Sequence, residues 1–454
     1  MSSALTDQRR QALGGTLVLG GGFGGSAVAR ALGRDGATIV DLRSYLLFTP
    51  FLAEVASGTL EPRRAAVPLR ALCPHAELLV GRLHGLDAGN RLAFVETELG
   101  EVELEYEDLI VALGSVPRWL PIEGLAEHAL SFKSLADAVV LRDHALRELD
   151  AADQEPAPER IEQHLTFLFV GAGYAGVEAL AQLQDLVREA LRHHPRLRGR
   201  PMRWILVDAA PRILPEVPET LARYAAHELE RRGVEVRTTT TLVSVDAGCC
   251  ARLSDGTTIP THTLVWAVGG SANPVVAHLG LPVDERGRLR VGPTLQVEGH
   301  RHVWGLGDCA AVPNAAAAGR FDPPTSQHAL RQARRLVANL RAARVGRSAR
   351  PYRYAALGQV ATLGHQKGIA DVLGVHVRGP LGWGIAESYH LLQLPLFGRR
   401  LRAAADWTLA TIARRDVVQI DAFESRGPLA ELPADMPTHP HELGARRTIE
   451  PLHR

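Results

Sequence analysis

Cysteine is scarce in this sequence. The four present, Cys73, Cys249, Cys250 and Cys309, stand at spacings that suggest neither a disulfide framework nor a zinc site, so a reducing compartment is expected and no metal. Long apolar runs are missing too. No window approaches the ~20 consecutive apolar residues that span a bilayer, and residues 1–15 carry no apolar run that reads as a secretory signal. A spanning helix is therefore not expected. Charge of one sign is also lacking: 51 Lys plus Arg face 50 Asp plus Glu, which offers nucleic acid no global field. Glycine, by contrast, is abundant at 43 of 454 residues, above the average of roughly 7%. That excess asks for a local reason. The length suggests two or three domains at ~150 residues each.

Part of the reason lies in two glycine turns. A strand at 16–20 runs into Gly20-Gly21-Gly22-Phe23-Gly24-Gly25, then a helix at 26–32 and a second strand at 37–41. Gly20, Gly22 and Gly25 take the three positions of the dinucleotide fingerprint, which need a tight turn, close approach of pyrophosphate and close helix packing. Phe23 and Gly24 complete the turn, and the N-terminal N–H groups of the helix that follows favour phosphate. Asp41 ends the second strand, ~20 residues on, where a carboxylate accepts from ribose hydroxyls. Gly171, Gly173 and Gly176 repeat the pattern after a strand at 166–170, with Glu178 early in the next helix and Asp208 ending the strand at 203–208. The longer spacing to Asp208 is absorbed by a basic helix end and loop at 188–201. Asp208 disfavours a 2′-phosphate and so points to NADH, although Arg212 close by leaves NADPH open. Two dinucleotide sites in one chain imply a held FAD and a diffusible nicotinamide meeting ring to ring.

These residues resemble the two-dinucleotide-binding-domain flavoproteins, and within them the type II NADH dehydrogenases, the non-proton-pumping NADH:quinone oxidoreductases. Further pieces carry the likeness: 45–50, ending in Pro50, with 54–60, similar to the family's stretch beside the flavin; 109–115, with Gly114 but with Leu113 where threonine is usual; 263–270, with Gly269; and 294–308, ending Val303-Trp304-Gly305-Leu306-Gly307-Asp308. The resemblance implies an α/β fold of two Rossmann-like domains of the glutathione-reductase type with a C-terminal membrane-associating helical segment. It implies that Gly307 and Asp308 hold FAD, Asp308 through the ribityl chain, and that Glu178 lies near the nicotinamide and the acceptor pocket. The expected division is an FAD-binding domain at 14–145 and 289–348, a solvated connector at 146–163 marked by Pro156 and Pro158, an NADH-binding domain at 164–288, an acceptor and membrane region at 349–424 and a flexible tail at 425–454.

The acceptor follows by exclusion and resemblance. Residues 53–60 contain no cysteine, against a thiol relay, and the adjacent Cys249 and Cys250 read as small packed residues. A quinone, a soluble acceptor such as ferredoxin or oxygen, and a non-catalytic redox sensor remain. Residues 323–332 resemble the family's quinone-proximal helix start: Gln327, Ala329 and Gln332 match, whereas Ser326 and Arg331 depart, Arg331 standing where a glutamine is expected. Lys367 and Ile369 fall in the region bordering the acceptor pocket. Phe397, Leu401, Ala404, Ala405, Thr408 and Ile412 recur at helical spacing among arginines, and Trp383 to Leu394 is apolar and aromatic. An amphipathic helix that lies on a membrane surface is expected, or one that packs on the protein or a second copy as a homodimer contact. The implied location is the cytoplasm, attached to the inner face of the cell membrane.

Overall fold

The computed structural model describes residues 8–419 apart from 247–249, 318, 357 and 414; the expected tail at 425–454, and Cys249, lie outside the described residues. Runs such as Thr-Leu-Val-Leu at Thr16–Leu19 and Thr-Phe-Leu-Phe-Val at Thr166–Val170 are buried at every position. Such runs suit strands covered on both faces, the environment of a parallel sheet.

Two five-stranded parallel sheets result. The first is ordered Val303–Gly305, Asp108–Val111, Thr16–Leu19, Ala37–Asp41, Ala76–Val80. The second is ordered Ala129–Ser131, Thr263–Trp266, Thr166–Val170, Arg203–Val207, Val234–Arg237. In each, the strand before the glycine turn is flanked on one side by the next strand in sequence and on the other by one that returns much later. The chain direction reverses there, and ligands of such sheets sit at the carboxyl ends beside that switch point. Beyond the second sheet, Gly358–Thr362, Gly368–Val372 and Val375–Arg378 form an antiparallel sheet that leads into the helices Gly379–Gln393 and Phe397–Ile412.

One expectation is corrected. The stretch 146–163 is not a solvated connector: Leu135–Gln154 is one helix that buries Leu146, Leu149 and Ala152, and Pro158–His164 is a second that buries Ile161. The first helix starts on a capping box, with the Asp137 N–H donating to Ser134 Oγ at 3.1 Å and the Ser134 N–H to Asp137 Oδ2 at 2.8 Å. Pro158 opens the second helix, where its missing N–H and fixed φ are harmless. The prolines mark a joint between helices.

Candidate active site

The two glycine turns repeat each other closely. Gly20 and Gly171 have φ of 101° and 108°, a region that favours glycine, and their N–H groups donate to Val40 O and Val207 O, each at 2.8 Å. A Cβ on Gly25 would lie 1.8 Å from Gly20 O, and one on Gly176 1.9 Å from Gly171 O. Each strand-end carboxylate closes its turn in the same way. Asp41 accepts from the Gly21 N–H at 2.7 Å and the Arg43 N–H at 2.8 Å. Asp208 accepts from the Ala172 N–H and, at 2.7 Å, from the Ala210 N–H. A carboxylate has about four acceptor positions, so each keeps capacity for a ligand hydroxyl. Neither following helix, Phe23–Leu32 or Tyr174–Ala190, has a capping side chain. Their first-turn N–H groups are donors that a pyrophosphate would satisfy. The residues fit two dinucleotides.

One cavity of about 2520 Å³ joins the parts, several times the ~300–1,000 Å³ of a pocket for one small ligand. Gly20, Gly22, Phe23, Gly24, Asp41, Pro50, Gly114, Gly307 and Asp308 line it on one side, and Tyr174, Ala175, Glu178, Gln327, Arg331 and Tyr389 on another. Gly171, Gly173, Gly176, Asp208 and Gly269 are not part of this wall. Asp308 is fixed by Ser115, whose hydroxyl donates to Asp308 Oδ2 at 2.7 Å; sequence reasoning assigned no role to Ser115.

Gln332 is displaced from its expected place. Its Oε1 accepts from the Gly307 N–H at 2.8 Å and its Nε2 donates to Asp322 Oδ2 at 2.9 Å, with the residue 2% exposed. On Ser326–Arg344, residues 326–331 and Arg334 line the cavity, whereas Gln332, rotated about 140° from Gln327 at 3.6 residues per turn, turns into the protein. Gln332 holds the Gly307 turn; Gln327, which accepts from Tyr354 Oη at 3.3 Å, faces the cavity. The Arg331 guanidinium lies over the Tyr354 ring, 5.4 Å from the centroid. Lys367 pairs with Glu228 at 3.2 Å and Ile369 is buried, and neither lines the cavity. Arg212 donates to the carbonyls of Leu214, Pro215 and Val217, so its guanidinium is engaged by its own loop.

Three carboxyls lie buried near one another, and sequence reasoning singled out only Glu178. Glu178 Oε1 accepts from the Thr362 N–H at 2.9 Å. Burial pushes its pKa up to about 8, against the usual 4.5. Burial likewise pushes Glu387 up to about 7. Glu54 is raised well above the carboxylate range by burial and then by the charges of Glu387 and Glu178. A charged group inside the run Phe51-Leu52-Ala53-Glu54-Val55-Ala56 was the available signal for Glu54; Glu387, in Gly379–Gln393, had none. Neutral at pH 7, a buried carboxylic acid can donate a proton.

The helix Phe397–Ile412 reverses the usual orientation of an amphipathic helix. Ala403 is buried and Trp407 packs on Phe51 with ring centroids 5.6 Å apart, while Asp406 takes the Arg64 guanidinium at 2.9 Å. The apolar positions face outward: Phe397 is 78% exposed and Ile412 81%, with Leu401 and Leu409 also exposed. Among the described residues no helix is long and apolar enough to cross a membrane.

Twin parallel sheets and twin glycine turns, with a cavity that runs from the first turn and Asp308 to Tyr174, Ala175 and Glu178, define the architecture of a dinucleotide-binding oxidoreductase. Residues 15–333 match the pyridine nucleotide-disulphide oxidoreductase family. The chain is 30% identical over 415 residues to the type II NADH:quinone oxidoreductase Ndh of Mycobacterium tuberculosis, covering 88% of each. It is 29% identical over 403 residues to the demethylphylloquinone reductase NdbB of Synechocystis sp., covering 86% of this chain and 94% of that one. In fold it is similar to NDH2 of Plasmodium falciparum, solved in complex with NADH, with a TM-score of 0.81 at 17% identity over 91% of this chain and 100% of the other. The chain belongs to the pyridine nucleotide-disulphide oxidoreductases, and within them to the type II NADH:quinone oxidoreductases.

Proposed function

We propose that this protein oxidises NADH and reduces a membrane quinone through bound FAD, without pumping protons. The observation that supports it best is the single cavity connecting the Asp41 and Asp308 side with Glu178, Gln327 and Arg331. When bound, FAD supplies the two-electron chemistry, accepting hydride from reduced nicotinamide and passing electrons to the second acceptor. This chain's residues orient and protonate. Gly20 to Gly25 and Asp41 would hold the FAD pyrophosphate and ribose, and Asp308, fixed by Ser115, its ribityl chain. Gly171 to Gly176 and Asp208 would hold NADH, and with Arg212 occupied by backbone carbonyls a 2′-phosphate has no counter-ion from that side chain. Glu178, neutral at pH 7, holds a proton at the cavity wall. Arg331, stacked on Tyr354, presents a cation toward the acceptor end, where it can hydrogen-bond a quinone carbonyl.

The outward apolar face of Phe397–Ile412, continued by exposed Leu381 and Leu392, supports peripheral attachment to the bilayer that carries the quinone. The test mixes purified holoenzyme with NADH under anaerobic conditions and follows the flavin absorbance. Bleaching by NADH and reversal by menaquinone are expected. Absence of bleaching would refute NADH as donor, and bleaching that menaquinone fails to reverse would refute the quinone step.

A further inference from the structure

His144 and His262 sit on the cavity wall and open onto a cluster that the proposed reaction does not use. His144 and Glu148 are one turn apart on Leu135–Gln154, His164 ends Pro158–His164, and His262 immediately precedes the strand Thr263–Trp266. Glu148 is their common centre. Its Oε2 lies 2.6 Å from His164 Nδ1 and 3.9 Å from His262 Nδ1, and its Oε1 lies 3.9 Å from His144 Nε2. The His164 and His262 rings are 4.4 Å apart between centroids. Ligand atoms of Glu148, His164 and His262 all lie within 4.8 Å of one another.

An outer partner sets the His262 ring up as a donor of a lone pair. His262 Nε2 meets Gln163 Oε1 at 3.2 Å; an amide oxygen only accepts, so the proton belongs on Nε2 and the lone pair on Nδ1, which faces Glu148. Such a bond on the far nitrogen is how metal-ligating histidines are oriented. His144 flanks the three, its Nε2 already engaged by the Thr263 hydroxyl at 3.0 Å. A zinc ion with bonds of roughly 2.0–2.2 Å to nitrogen and carboxylate oxygen spaces its ligand atoms about 3–3.5 Å apart. The present spacings to Glu148, 2.6 Å from His164 and 3.9 Å from His262, lie on either side of that range. Imidazoles with one carboxylate are ligands suited to zinc.

We propose that Glu148, His164 and His262 form a three-ligand binding site for a divalent cation of the zinc class, pinning the helices Leu135–Gln154 and Pro158–His164 to the start of Thr263–Trp266. The metal displaces the proton now shared by His164 and Glu148. The test uses full-length, flavin-loaded protein stripped with a chelator and dialysed against zinc buffered at low-micromolar free concentration. Wild type should hold one more equivalent of zinc than a His164→Ala/His262→Ala variant whose flavin content shows that it folds. Equal zinc in the two proteins overturns the proposal, as does wild type holding none. A second measurement needs no variant: zinc should suppress acylation of His164 and His262 by diethylpyrocarbonate, read by peptide mass, while exposed His193 still reacts. Unchanged labelling at His164 and His262 overturns the site and leaves a purely hydrogen-bonded cluster.

Discussion

Glu178→Gln separates the two halves of the proposed reaction. The amide is the same size as the acid, and its oxygen can keep the 2.9 Å bond from the Thr362 N–H. With a pKa of about 8, the acid is about nine-tenths neutral at pH 7, so the change removes a transferable proton and almost no charge. Donation by a positioned acid is worth roughly 10²–10⁴-fold. Anaerobic stopped-flow at pH 7 should therefore show reoxidation by a soluble quinone slowed about 100-fold or more, with bleaching by NADH within about two-fold of wild type. The sign of the stability effect follows from the same shift. The folded pKa lies above the unfolded 4.5, so the native state holds a proton that the unfolded chain releases. Stability from this group is complete below about 4.5 and is lost as pH rises to about 8, a change on the order of a few kcal/mol. The glutamine variant escapes that loss, so it should match wild type near pH 5 and unfold at higher denaturant near pH 9. Equal slowing of both half-reactions, or an unchanged pH profile of stability, would refute the reasoning.

Other outcomes follow from single features. Gly176→Ala forces the Gly171 carbonyl away from a Cβ 1.9 Å distant; the enzyme should keep its flavin and show a KM for NADH raised at least ten-fold, whereas Gly25→Ala should purify with little flavin. Replacing Phe397, Leu401 and Ile412 together by serine should move the protein from vesicle-bound to free in a flotation assay, with turnover on a soluble quinone retained. Arg331→Gln should leave flavin bleaching unchanged and alter the KM for quinone by several-fold, measured with a short-chain analogue; a KM unchanged within error would remove Arg331 from the acceptor site.

Both dinucleotide turns were legible because their chemistry is local. Strand, glycine spacing, helix and terminal acid lie within one short segment, and the turn repeats nearly the same contacts in both halves. Asp308 was legible through resemblance, since Gly307 and Asp308 end a family motif that here runs past the end of the buried strand Val303–Gly305. Side-chain direction at the acceptor end was not legible. Gln327 and Gln332 looked equivalent in sequence, and only the helical phase set by packing sends one to the cavity and the other to Gly307. Glu54 and Glu387 are far apart in sequence and acquire their shared environment only when the helices Leu52–Ala56 and Gly379–Gln393 come together. The stretch 146–163 misled because its charges and prolines dominate the composition while buried Leu146 and Leu149 continue a helix begun far upstream.

The contacts on the inner side of Phe397–Ile412 have a mechanical consequence. Trp407 rests on Phe51, the residue after Pro50 in the cavity wall, and Asp406 grips Arg64 a little further along the same segment. The element that would rest on a bilayer is thus tied to Phe51, which stands between Pro50 and Leu52 of the cavity lining. A force or tilt applied at the surface reaches that lining through two side chains. Bound in this way, the enzyme would drift along the membrane as an oriented body, its cavity held at a set attitude to the lipid.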